Sequence, residues 1–73
     1  MKIVANDYEA KDIIRIIRKN TKLNQTEFGK SLDVSGMTIQ GYERGIRRYT
    51  FETLMKIAEL YDIKITLDIK KSK

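Results

Sequence analysis

The stretch Leu23-Asn24-Gln25-Thr26-Glu27-Phe28-Gly29-Lys30-Ser31-Leu32-Asp33-Val34-Ser35-Gly36-Met37-Thr38-Ile39-Gln40-Gly41-Tyr42-Glu43-Arg44-Gly45 reads as two short helices and the turn between them. Asn24 opens the first, with Glu27 three residues on, the spacing at which each side chain can satisfy a backbone N–H of the other. Phe28 and Leu32 are one helical turn apart and share a face, and Asp33 ends the helix. Ser35 caps the second helix, in which Ile39 and Tyr42 face inward, and Gly45 closes it because glycine takes positive φ without a steric penalty. Gly36, Met37, Thr38, Gln40 and Gly41 are left on the outside.

Upstream, Ala10, Ile13, Ile14 and Ile17 repeat at helical spacing with Arg15, Arg18 and Lys19 on the wetter side, which predicts a helix from about Tyr8 to Asn20 capped by Asp7. Downstream, a fourth helix begins after Thr50, with Phe51, Leu54, Ile57, Ala58 and Tyr61 in one register and Glu52 near its positive end. The period then changes. Ile63, Ile65, Leu67 and Ile69 alternate with Lys64, Thr66, Asp68 and Lys70, the pattern of a strand with one apolar face. Without proline, a Gly/Ser-rich run or a repeat to mark a linker, residues 1–73 read as a single domain, with a helical core over 8–62 and a C-terminal strand over 63–69. The expected fold is mainly α, with four helices and one strand.

Seventy-three residues make a small core worth roughly 3–5 kcal/mol, so additional support from a partner is expected. Cysteine and histidine are absent, which removes disulfides, the usual zinc and iron–sulfur ligands, thiol nucleophiles and the commonest general base. No phosphate-binding glycine motif is present and Asp33-x-Ser35-x-Met37 is not a calcium loop, so neither an enzyme nor a cofactor-binding protein is expected. At 41% hydrophobic and 34% charged residues, and with no apolar stretch in Met1–Asp7, the expectation is a soluble cytoplasmic globule with no membrane partner. The net charge of +5 favours a polyanion such as nucleic acid, although it also lies within the ordinary range for solubility.

Two short helices joined by a turn of about three residues, after a longer helix, describe a helix-turn-helix, whose second helix enters the major groove of DNA. Residues 23–45 closely resemble the lambda-repressor-like, xenobiotic-response-element family of DNA-binding domains, and the resemblance extends without a gap from about residue 13 to 63. Tyr42-Glu43-Arg44-Gly45 resembles the family's ending of the third helix, and Leu54-x-x-Ile57-Ala58 its fourth helix. The resemblance implies that Gln25 grips a phosphate and that Arg18 and Glu43 form an ion pair between the first and third helices. Base contacts fall to Met37, Thr38 and Gln40, with Gly36 and Gly41 either thinning the reading face or letting the helix backbone approach the groove. Met37 could equally fill a gap in the core. Arg44, Arg47, Arg48 and Tyr49 follow the third helix where the family's chain passes along the phosphates, and Lys70, Lys71 and Lys73 form a second basic cluster that reads as a solubilising tail. Two further departures are Gly29, in place of the usual alanine, and Asp33, in place of the glycine of the turn, where Asp tolerates positive φ.

A strand with one apolar face needs a partner. Pairing of Ile63, Ile65, Leu67 and Ile69 with a second copy would produce a two-fold homodimer reading a two-fold operator; pairing with Lys2-Ile3-Val4-Ala5 of the same chain is the competing arrangement, and the two are compatible. The leading expectation is a dimeric repressor bound to double-stranded DNA in the nucleoid. The alternative is a protein-interaction module, such as an antitoxin that holds a toxin and regulates its own operon.

Overall fold

Side-chain caps set the starts of three of the four helices in the computed structural model, which describes residues 1–67. The elements are β1 (Lys2–Val4), a single 3-10 turn (Ala5–Asp7), α1 (Ala10–Thr21), α2 (Gln25–Ser31), α3 (Gly36–Arg44), α4 (Phe51–Leu60) and β2 (Lys64–Thr66). At the start of α2, Asn24 Oδ1 accepts from Glu27 N at 2.7 Å and Glu27 Oε1 accepts from Asn24 N at 2.9 Å. Ser35 and Thr50 do the same one-sidedly, accepting from Thr38 N and Thr53 N at 3.1 Å each. The turn from α2 to α3 places Asp33 at φ 60°, and Gly45 ends α3 at φ 77°.

The expected cap by Asp7 is not formed. α1 starts two residues later than the periodicity indicates, with Glu9 at the N-cap and no side-chain capping bond. Asp7 instead belongs to the 3-10 turn that follows β1, so pairing of β1 decides where the chain enters α1.

One apolar core holds the helices together: Ile13, Ile14 and Ile17 of α1, Phe28 of α2 with Leu32 at its C-cap, Ile39 of α3, and Leu54 and Ile57 of α4. Phe28 stacks on Tyr61 with ring centroids 5.3 Å apart, and the Tyr61 hydroxyl donates to Ser31 Oγ at 2.6 Å, which ties the end of α4 to α2. A Cβ at Gly29 would lie 2.7 Å from Val34 O and 2.9 Å from Ser35 O, so the glycine lets the turn close directly onto α2. Phe51, in one helical register with Leu54 and Ile57, is nevertheless 71% exposed. The apolar stripe of α4 is wider than the core it covers: Leu54 and Ile57 are buried, whereas Phe51 and Met55 border an open groove.

β2 pairs in parallel with β1, Lys2 opposite Lys64, Ile3 opposite Ile65 and Val4 opposite Thr66. Parallel strands require a long crossover, here supplied by the whole helical core. The pairing within one chain is thus formed along one edge of β2. Ile63 is buried against Ile3 and the helices, Ile65 is half-buried and Leu67 is 64% exposed. The regular strand is shorter than residues 63–69, and Ile69, Lys70, Lys71 and Lys73 lie outside the described residues. Among the described residues no helix is long and apolar enough to cross a membrane.

Candidate nucleic-acid interface

The orientation of α3 is fixed from its buried side. Arg18 of α1 donates through Nε and one terminal nitrogen to the two carboxylate oxygens of Glu43, at 2.5 and 3.0 Å, and through the other terminal nitrogen to Leu23 O at 3.0 Å. The hydrogen bond to Glu43 raises Arg18 above its ordinary arginine range, so the guanidinium stays charged at every working pH. Gln25 adds a third donor, its side-chain amide reaching Glu43 Oε1 at 3.3 Å. The expected α1–α3 ion pair is present, and Gln25 is bound into it. Its second amide N–H makes no hydrogen bond among the described residues.

With Ile39, Tyr42 and Glu43 turned inward, the helical period puts Met37, Gln40, Gly41 and Arg44 on the opposite face of α3. Met37 is 79% exposed, which removes it from the core, and Gln40 is exposed beside it. Thr38 is half-buried with its hydroxyl 3.1 Å from Ser35 Oγ, so its methyl is the group it can offer outward. Gly36 faces α2: a Cβ there would lie 2.7 Å from Thr26 Oγ1 and 3.0 Å from Thr26 Cα. Its smallness therefore serves the packing of the two helices. Gly41 lies in the middle of the outer face and is covered by the aliphatic stem of Arg47.

Arg44, Arg47 and Arg48 are all exposed, and none makes an ion pair or side-chain hydrogen bond among the described residues. Arg44, expected after the third helix, is the last residue of α3, and the loop that carries Arg47 and Arg48 is pinned at its far end. Tyr49 packs edge-on against Tyr42 with centroids 5.4 Å apart, and its hydroxyl donates to Ala10 O at the start of α1. Tyr49, expected at a phosphate, thus has its donor committed to the protein and positions the arginines instead. Two residues join this surface that no local pattern marks: Ile46, 69% exposed between Arg44 and Arg47, and Lys11, whose stem lies beside Gly45 across 34 residues of chain. A cleft of about 400 Å³ between α1 and this loop is bordered by Lys11, Arg47, Arg48 and Tyr49.

Burial pushes the Tyr49 phenol up to about 12. The unfolded chain ionises this group near pH ~10, so the stability it contributes is complete below that pH and is lost as pH rises toward 12. Partial exposure of the side chain lets solvent screen this contribution, which leaves about 1 kcal/mol. Thermal melts from about pH 9 to 11.5 are expected to show the wild type losing that increment relative to Tyr49→Phe; parallel curves would remove the claim.

A helix-turn-helix family model matches residues 14–67, from the middle of α1 through β2. The chain belongs to the lambda-repressor-like, xenobiotic-response-element helix-turn-helix family. Membership makes it a domain of the DNA-binding type, with α2 and α3 as the two helices of the motif. Comparison with curated proteins and with solved structures returns no match.

Proposed function

We propose that this helix-turn-helix protein is a sequence-specific repressor that binds double-stranded DNA as a homodimer on an inverted-repeat operator. One observation carries the proposal: the outer face of α3, with Met37 and Gln40 exposed, lies beside three arginines whose guanidinium groups have no partner among the described residues. Gln40 can bond an adenine through both its amide groups, and Met37 and the Thr38 methyl can meet a thymine methyl. Arg44, Arg48 and Gln25 supply phosphate contacts around that face. Binding of this kind, with no further chemistry, acts by excluding other proteins from the same DNA.

The second copy docks on the apolar groove of about 630 Å³ between α4 and β2, bordered by Phe51, Met55, Ala58, Ile65 and Leu67. Glu52, Lys56 and Glu59 flank it and make no ion pair among the described residues. Antiparallel packing of α4 on its copy sets the lysine of one chain toward a glutamate of the other, so the face is complementary to itself. Half-buried Ile65 and exposed Leu67 carry the β2 side of this surface.

Selection of bound sites from a random duplex library at near-physiological salt tests the function. The expected product is an inverted repeat with half-site centres about one helical turn apart. Gln40→Ala is expected to cost about 1–3 kcal/mol at that site and to relax preference at one or two base pairs. Unchanged preference and affinity would mean that the reading face lies elsewhere. Recovery of no motif, with binding that fades uniformly as salt rises, would favour the interaction-module reading, in which the groove takes a different protein.

A further inference from the structure

Gly41 leaves a vacant place in the centre of the outer face of α3, and the structure fills it from another part of the chain. A Cβ at Gly41 would lie 3.0 Å from Arg47 Cδ, 3.1 Å from its Cγ and 3.4 Å from its Cβ, so the arginine stem rests directly on the helix where residue 41 has no side chain. The backbone holds this arrangement in place. Gly41 O accepts both Ile46 N at 3.0 Å and Arg47 N at 3.1 Å, which folds the loop back over the last turn of α3. Gly45 makes the reversal through its positive φ, and Tyr49 anchors the return to α1. Arg47 is exposed, and among the described residues its guanidinium bonds to nothing.

We infer that Arg47 takes the role of a recognition-helix side chain: seated on Gly41, it reads a guanine in the major groove instead of gripping the phosphate backbone. This inference rests on the DNA-binding reading above and names a specificity determinant within it. An arginine fork matches the O6 and N7 acceptors of guanine through two hydrogen bonds, and a stem held against a helix loses little freedom on binding. Gly41 is then a positioning residue, required because any side chain at 41 displaces the stem of Arg47. The helix-destabilising glycine and the loop arginine form one device.

Site selection with the wild-type chain, followed by Arg47→Ala, Arg47→Lys and Gly41→Ala, tests this. The wild type is expected to prefer one G·C pair in each half-site. Arg47→Ala and Arg47→Lys are both expected to lose that preference, with affinity for the selected site falling about ten- to hundredfold and affinity for a site lacking the pair nearly unchanged. Gly41→Ala, a substitution that favours the helix, is expected to weaken preference at the same pair. Uniform weakening on all sequences, a salt slope lowered by about one and rescue by lysine would assign Arg47 to a phosphate and overturn the inference while leaving the DNA-binding reading intact. A wild type that selects no motif would overturn both.

Discussion

Glu43→Ala is expected to leave the domain largely unfolded at room temperature. The Glu43 side chain is 6% exposed and that of Arg18 15%, and the carboxylate accepts two bonds from Arg18 and one from Gln25. Truncation leaves a guanidinium buried with only Leu23 O as partner, a loss that in buried pairs amounts to about 3–5 kcal/mol. A core of this size contributes a net stability of roughly the same magnitude, so little remains. Glu43→Gln keeps the shape and one acceptor, and is expected to cost about half as much. Replacing both partners together, as Arg18→Met with Glu43→Leu, is expected to be close to neutral or stabilising, because no charge is then stranded. Urea titrations followed by circular dichroism separate the three cases. A loss below about 1 kcal/mol for Glu43→Ala would show that Arg18 finds water when its partner is removed, and that the pair does not fix the angle of α3.

That pair also marks how far the sequence can be read unaided. Arg18 and Glu43 were legible through family resemblance, and the caps at Asn24, Ser35 and Thr50 through local rules, because capping depends on residues three apart. Asp33 and Gly45 were legible for the same reason, each occupying a left-handed position within its own turn. What escaped involves distance along the chain. The start of α1 depends on β1, and β1 on β2 about sixty residues away, so the local pattern pointed to Asp7. The donor of Tyr49 goes to Ala10, which no spacing rule connects to it. Phe51 shares the helical period of Leu54 and Ile57, yet periodicity gives a direction and not the width of the core beneath. Within the candidate interface, Gly36 and Gly41 looked alike in sequence, and only their neighbours distinguish them: Thr26 packs against one, and Arg47 against the other.

The exposed apolar edge of α4 leads to the second large effect. In the two-fold dimer proposed above, Phe51→Gln combined with Met55→Gln is expected to yield a monomer while leaving the fold intact. Both side chains are more than half exposed in the single chain, at 71% and 57%, so the substitutions remove little from its own core, and glutamine suits a helix surface. Neither changes the net charge of +5, so the long-range attraction to DNA is preserved. In a two-fold assembly four large apolar side chains leave the interface at once; at about 1.5–3 kcal/mol for each fully buried side chain, the sum exceeds what a small dimer can lose and still form. Each half-site then binds alone, and the gain from linking two binding events, about 10²–10⁴ in affinity, disappears from the full operator. Affinity for an isolated half-site is expected to stay at its wild-type value, because Gln40, Arg44 and Arg47 lie on the α3 side of the molecule. Analytical ultracentrifugation at micromolar concentration and titration of full and half operators measure the two quantities separately. A double variant that still sediments as a dimer would move the interface away from α4. A wild type that sediments as a monomer yet binds its site tightly would remove the dimer altogether, leaving one helix-turn-helix to hold the DNA by itself.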